Sequence, residues 1–72
     1  MIAVSPRQRQ VGSLIATGLN NPEIAAELNI AVATVRWHRQ LLMTKLGLRS
    51  AVDVTHYAIS HGWVPVLGDK QQ

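Results

Sequence analysis

Between Glu27 and Asp53 the chain carries no acidic residue, and Arg36, Arg39, Lys45 and Arg49 all lie in that interval. Arg36, Trp37 and Gln40 stand close together there and supply a guanidinium, an indole and an amide. A planar guanidinium fork bonds the two major-groove acceptors of a guanine at once, and Gln40 lies one helical turn beyond Arg36. Water-facing helix surfaces ordinarily show Glu, Lys and Ser instead. A positive surface rich in hydrogen-bond donors suits the major groove of DNA. The plainer alternative is a bundle helix whose exposed side happens to be basic.

Such side chains work together only if one element presents them on one face. Val32 to Leu46 holds no Gly or Pro, so nothing in it forbids a continuous helix. At about 100° per residue, Val35, Leu42 and Leu46 fall on one side, with His38 at its margin. Arg36, Trp37, Gln40 and Thr44 fall on roughly the opposite side. His38 is expected to be packed and hydrogen-bonded at the edge of the core. Trp37 either contacts DNA or packs on a neighbouring protein surface. Lys45, at the far end, suits a phosphate better than a base.

Other chemistry is poorly served. His38 is separated from His56 and His61 on a different helix, and neither Cys nor a well-placed acid completes a metal set. His56 and His61 read as surface residues. No Ser-His-Asp arrangement, paired-carboxylate motif or glycine-rich phosphate loop stands out, so neither catalysis nor a cofactor is expected.

The chain has 72 residues and no Cys, so it forms one small domain without disulfide or thiolate support. Domains of this size retain roughly 3–5 kcal/mol of net stability, drawn here from helix packing, caps and a partner subunit. Two Trp and one Tyr accompany plentiful Leu, Ile, Val and Ala, which suits closely packed helices. The net charge of +3 favours a polyanion, either nucleic acid or an anionic membrane. No apolar run is long enough to span a bilayer. The N-terminus lacks the pattern of a secretory signal, and a cytoplasmic location is expected.

The helix signals come in order. Ser5-Pro6-Arg7-Gln8 is a capping box with Pro at the first helical position. Val11, Leu14 and Ile15 follow as an apolar stripe, and Gly18 is a natural stop. Gly12 costs about 1 kcal/mol inside a helix; it either admits a close neighbour or is a tolerated weak spot. A second start lies at Asn20-Asn21-Pro22-Glu23, where either Asn serves as the cap. Ile24, Ala25 and Leu28 form the buried side of this short helix, and Asn29 suits a left-handed turn. The basic helix begins directly afterwards, which makes the pair a helix-turn-helix. Gly47 ends that helix. Ser50 to Asp53 caps a fourth, which runs to about His61. The expected architecture is all-α, a four-helix domain over residues 1–63, with a flexible tail over 64–72.

Taken together, these residues closely resemble the LuxR-type (FixJ or GerE type) DNA-binding domain of bacterial transcription regulators. The match is carried by Ser5-Pro6-Arg7 with Val11, Gly18-Leu19 with Asn21, Glu23-Ile24-Ala25, and Leu28 with Ile30. It continues through Thr34-Val35-Arg36 with His38 and Lys45-Leu46-Gly47 with Arg49-Ser50, spanning Val4 to Trp63. The resemblance implies that the third helix enters the major groove and that the fourth often forms a dimer contact. It implies base reading by Arg36, Trp37 and Gln40, and backbone contacts at Thr34 and Lys45; Arg39 is grouped with the latter. The chain departs from the family at several positions. Gln8 and Gln10 replace acids, Gly12 a large aliphatic residue, Pro22 a common Lys, and Ala31 a capping Ser. Trp37 replaces a small residue, so an operator cannot be borrowed from relatives.

On the fourth helix, Ala51, Val54 and Ala58 suit the core. Val52, His56 and Ile59 share another side and are expected to meet a second copy, unless all six pack within one subunit. Three function classes follow. The first is sequence-specific binding of double-stranded DNA as a homodimer, for transcription regulation. The second is a module that docks on RNA polymerase or another regulator. The third, a helix lying on anionic lipid, is the weakest because the outward face is not apolar. Neither a receiver nor a sensing domain is present, which leaves open a stand-alone regulator or part of a longer chain.

Overall fold

The computed structural model describes residues 4–64. The tail expected over 64–72 therefore lies, beyond Val64, outside the described residues. Four helices follow one another: α1 (Pro6–Thr17), α2 (Asn21–Leu28), α3 (Val32–Leu46) and α4 (Ala51–Ser60). None of them is long and apolar enough to cross a membrane.

Short-range hydrogen bonds set the starts of three helices. The Ser5 hydroxyl accepts from the Gln8 amide at 3.1 Å, and Gln8 Oε1 accepts from the Ser5 amide at 3.1 Å. At α2, Asn20 is the cap: its Oδ1 accepts from the Glu23 amide at 2.9 Å, and the Glu23 carboxylate accepts from the Asn20 amide at 2.8 Å. Ser50 Oγ accepts from the Asp53 amide at 3.2 Å, while the Asp53 carboxylate accepts from the Arg49 amide at 3.0 Å. These bonds satisfy amides at or just before the helix starts that have no intrahelical partner. The N-cap of α3 is Ala31, which supplies no side-chain cap.

The ends are equally local. Gly18 and Gly47 close α1 and α3 in the left-handed region, with φ of 103° and 69°. Asn29 does the same for α2 at φ 57°, and the Ile30 amide then donates back to the Ala25 carbonyl at 3.0 Å. That reversal turns α2 directly into α3. The pair is a helix-turn-helix.

The core is one aliphatic cluster. Val11 and Ile15 of α1 meet Ile24 and Ala25 of α2, Val35 and Leu42 of α3, and Val54 of α4. Leu14, Leu28, Leu46 and Ala51, also expected inside, are partly buried and packed against the cluster. Helix α1 touches each of the other three, and α4 packs chiefly on α1.

Gly12 admits a close neighbour. It is buried, and a Cβ built there would lie 2.6 Å from the Trp63 ring and 3.1 Å from Leu42 Cδ2. The Trp63 indole meets Tyr57 edge-on with centroids 5.3 Å apart, and the Ser13 hydroxyl donates to the Trp63 carbonyl at 3.3 Å. The segment after α4 is thereby fastened to α1.

Two stability outcomes follow. Ser50→Ala should lower stability by about 0.5–2 kcal/mol with the fold retained, and Ala31→Ser should raise it slightly, both read by thermal melts. Gly12→Ala would gain about 1 kcal/mol from helix propensity alone. Displacing the indole should outweigh that gain, since overpacking costs about 1–3 kcal/mol. The melting temperature should therefore fall, and adding Trp63→Leu to Gly12→Ala should recover part of the loss.

Candidate nucleic-acid interface

Helix α3 separates its two sides sharply. Val35 and Leu42 are fully buried. Arg36, Gln40 and Thr44 are exposed, and Trp37 is 59% exposed. The apolar back fixes the helix axially, so the three residues expected to read bases emerge together on the outer side.

Polar ties to neighbouring helices hold α3 towards both ends. Arg39 is half-buried, and its Nη1 donates to Asn21 Oδ1 at 3.1 Å, linking α3 to α2. Asn21 is thus engaged sideways while Asn20 caps. At the other end, Lys45 Nζ donates to Gln8 Oε1 at 3.1 Å. The Gln8 side chain is buried, so one carbonyl oxygen serves both the N-cap of α1 and the last turn of α3. Sequence reasoning identified Gln8 as a cap partner and missed its bond to Lys45. Partners 37 positions apart carry no periodic signal.

Thr34 is half-buried in the first turn of α3. That turn lacks both a side-chain cap and an acid, so the positive end of the helix dipole meets no carboxylate of its own helix. His38 is packed at the core margin, with its ring 5.1 Å from that of Trp37 at 51°. Its Nδ1, however, is buried without a hydrogen-bond partner, contrary to the expected hydrogen bond there. One turn before and after it on the same side stand Val35 and Leu42, which have no polar side-chain atom to offer.

On α4, Val54 and Ala58 are fully buried, whereas Val52 is 62% and Ile59 36% exposed, with His56 exposed between them. The six positions therefore divide between a core side and an outer side. His61 is exposed but engaged: its ring stacks on Tyr57 at 3.8 Å, and its Nδ1 lies 3.0 Å from the Tyr57 carbonyl. Among the described residues, no group of three or more His, Cys, Asp or Glu is placed to hold a metal ion.

A short turn between two helices, the second one basic and outward-facing, is the arrangement that places a helix in a DNA groove. Comparison with known proteins agrees. The family model for bacterial regulatory proteins of the luxR family (GerE) matches residues 3–58. The transcriptional regulatory protein MctR of Rhizobium johnstonii is 40% identical over 65 residues, covering 90% of this chain and 30% of its own length. The oxygen regulatory protein NreC of Staphylococcus aureus is 43% identical over 56 residues, covering 78% of this chain and 26% of its own length. The chain thus spans between a quarter and a third of these relatives. With its four helices, its turn at Asn29 and a family match over residues 3–58, the chain belongs to the LuxR family of bacterial regulatory proteins, as a helix-turn-helix DNA-binding domain.

Proposed function

We propose that this domain recognises a specific double-stranded DNA site to regulate transcription in the bacterial cytoplasm, with α3 lying in the major groove. The observation that carries the reading is the joint exposure of Arg36, Trp37 and Gln40 on a helix whose opposite side is sealed in the core. Arg36 would take the O6 and N7 acceptors of a guanine, and Gln40 would meet a base edge one turn along the groove. Thr34, Arg39 and Lys45 would hold the sugar-phosphate backbone. The Arg39 guanidinium has five donors, so its bond to Asn21 leaves donors for a phosphate.

Outward-facing Val52, His56 and Ile59 support pairing of two copies through α4. Two recognition helices would then meet half-sites about 10 bp apart. A domain of this size gains both affinity and register from such pairing, because one copy alone offers few base contacts.

Binding to matched and scrambled duplexes at several salt concentrations tests the α3 assignment. Arg36→Ala should cost about 1–3 kcal/mol on the matched site and much less on the scrambled one. Lys45→Ala should weaken both alike and lower the salt slope by about one counterion. It should also lower the melting temperature slightly through loss of the Gln8 bond. Indistinguishable profiles for the two variants would show that the groove-facing side is misassigned. Duplex binding that is absent or insensitive to salt would favour docking on RNA polymerase or another regulator instead.

Stoichiometry tests the pairing. Analytical ultracentrifugation on a palindromic site should show two copies per duplex, and a strict one-to-one complex would rule the α4 dimer out.

A further inference from the structure

The indole of Trp37 sits in the middle of the outward face of α3, beside Arg36 and one turn before Gln40. It is 59% exposed, and one side of it rests against the half-buried His38 ring. The ring is thus a large apolar plate held among polar side chains. Its chemistry differs from theirs: indole has one N–H donor and no acceptor, and nearly all of its surface is hydrocarbon.

The major groove offers few partners for such a plate. Base faces are stacked on one another and become available only at an unstacking cost of a few kcal/mol per step. Base edges present hydrogen-bonding groups, which suit Arg36 and Gln40, and one apolar group, the C5-methyl of a pyrimidine. On the reading of α3 as the groove helix, on which this inference rests, we propose that Trp37 reads a pyrimidine C5-methyl group. Thymine supplies that methyl, and 5-methylcytosine presents the same group at the same position of the ring. One position in each half-site is then selected by an apolar contact, and methylation of a cytosine there would alter binding.

The test uses the 72-residue chain and duplexes enriched by it from a randomised library. Each thymine of the enriched site is replaced in turn by uracil, which removes the methyl and leaves the pairing and polar edges unchanged. At one position per half-site, uracil should weaken binding about fourfold, corresponding to about 0.8 kcal/mol for one methyl-sized group. In Trp37→Ala, thymine and uracil duplexes should bind alike, with the fold retained on thermal melting because the ring lies mostly on the surface. At the same position, 5-methylcytosine should bind better than cytosine by a similar factor. A response confined to thymine would identify thymine as the source of the methyl.

Uracil tolerated at every position, or a uracil effect that persists in Trp37→Ala, would overturn the inference. If Arg36→Ala still abolishes discrimination in that case, the groove assignment stands and only the role of the indole falls. Failure of the library to enrich any sequence would remove both.

Discussion

Helix α1 gives Val11, Gly12 and Ile15 to the interior, and the other three helices close over that stripe. A chain of 72 residues without Cys has no covalent brace, so burial of one aliphatic cluster must set all the helix positions together. The close approach at Gly12 extends this constraint to the end of the domain. With no Cβ on α1 at that point, the Trp63 ring lies against the helix backbone, and the chain leaving α4 is drawn back onto the same helix. Helix α3 is thus positioned by an element that carries none of the residues proposed to read bases.

Within that frame, α3 divides its labour by side. Val35 and Leu42 fill the core, while Arg36, Trp37 and Gln40 stand on the outer side, the indole resting against the His38 ring. An exposed indole in particular leaves apolar surface in water that burial elsewhere would remove. Side chains so placed are free to be selected for what they touch outside the domain. The ties from Arg39 to Asn21 and from Lys45 to Gln8 act differently. They use neutral oxygen acceptors to orient basic groups at the edges of the outer face.

Helix α4 follows the same logic on a smaller scale. Val54 and Ala58 are spent on α1, which leaves Val52, His56 and Ile59 outside. Two exposed aliphatic residues flanking an imidazole form a modest patch, which suits the proposed pairing as a weak contact that sharing one duplex would reinforce.

Much of this was legible because the informative interactions span three or four residues. Ser5 with Gln8 and Ser50 with Asp53 are caps whose partners lie within one turn, so residue type and spacing suffice to place them. The same holds for the division of α3 and α4 into inner and outer sides, which follows from helical periodicity and was found as expected. Where the sequence left a choice, contacts between helices resolved it. Asn20 and Asn21 were equivalent as caps; in the fold Asn20 caps α2, and Arg39 on another helix engages Asn21. Gly12 was ambiguous until Trp63 was found against it. Neither the dual role of Gln8 nor the buried, unpartnered Nδ1 of His38 has a local signature, because each depends on what the folded chain brings to that point or withholds from it. Secondary structure and facing were written in the near-neighbour chemistry of the chain, whereas the ties between helices arise only when burial of a common core brings distant residues within bonding distance.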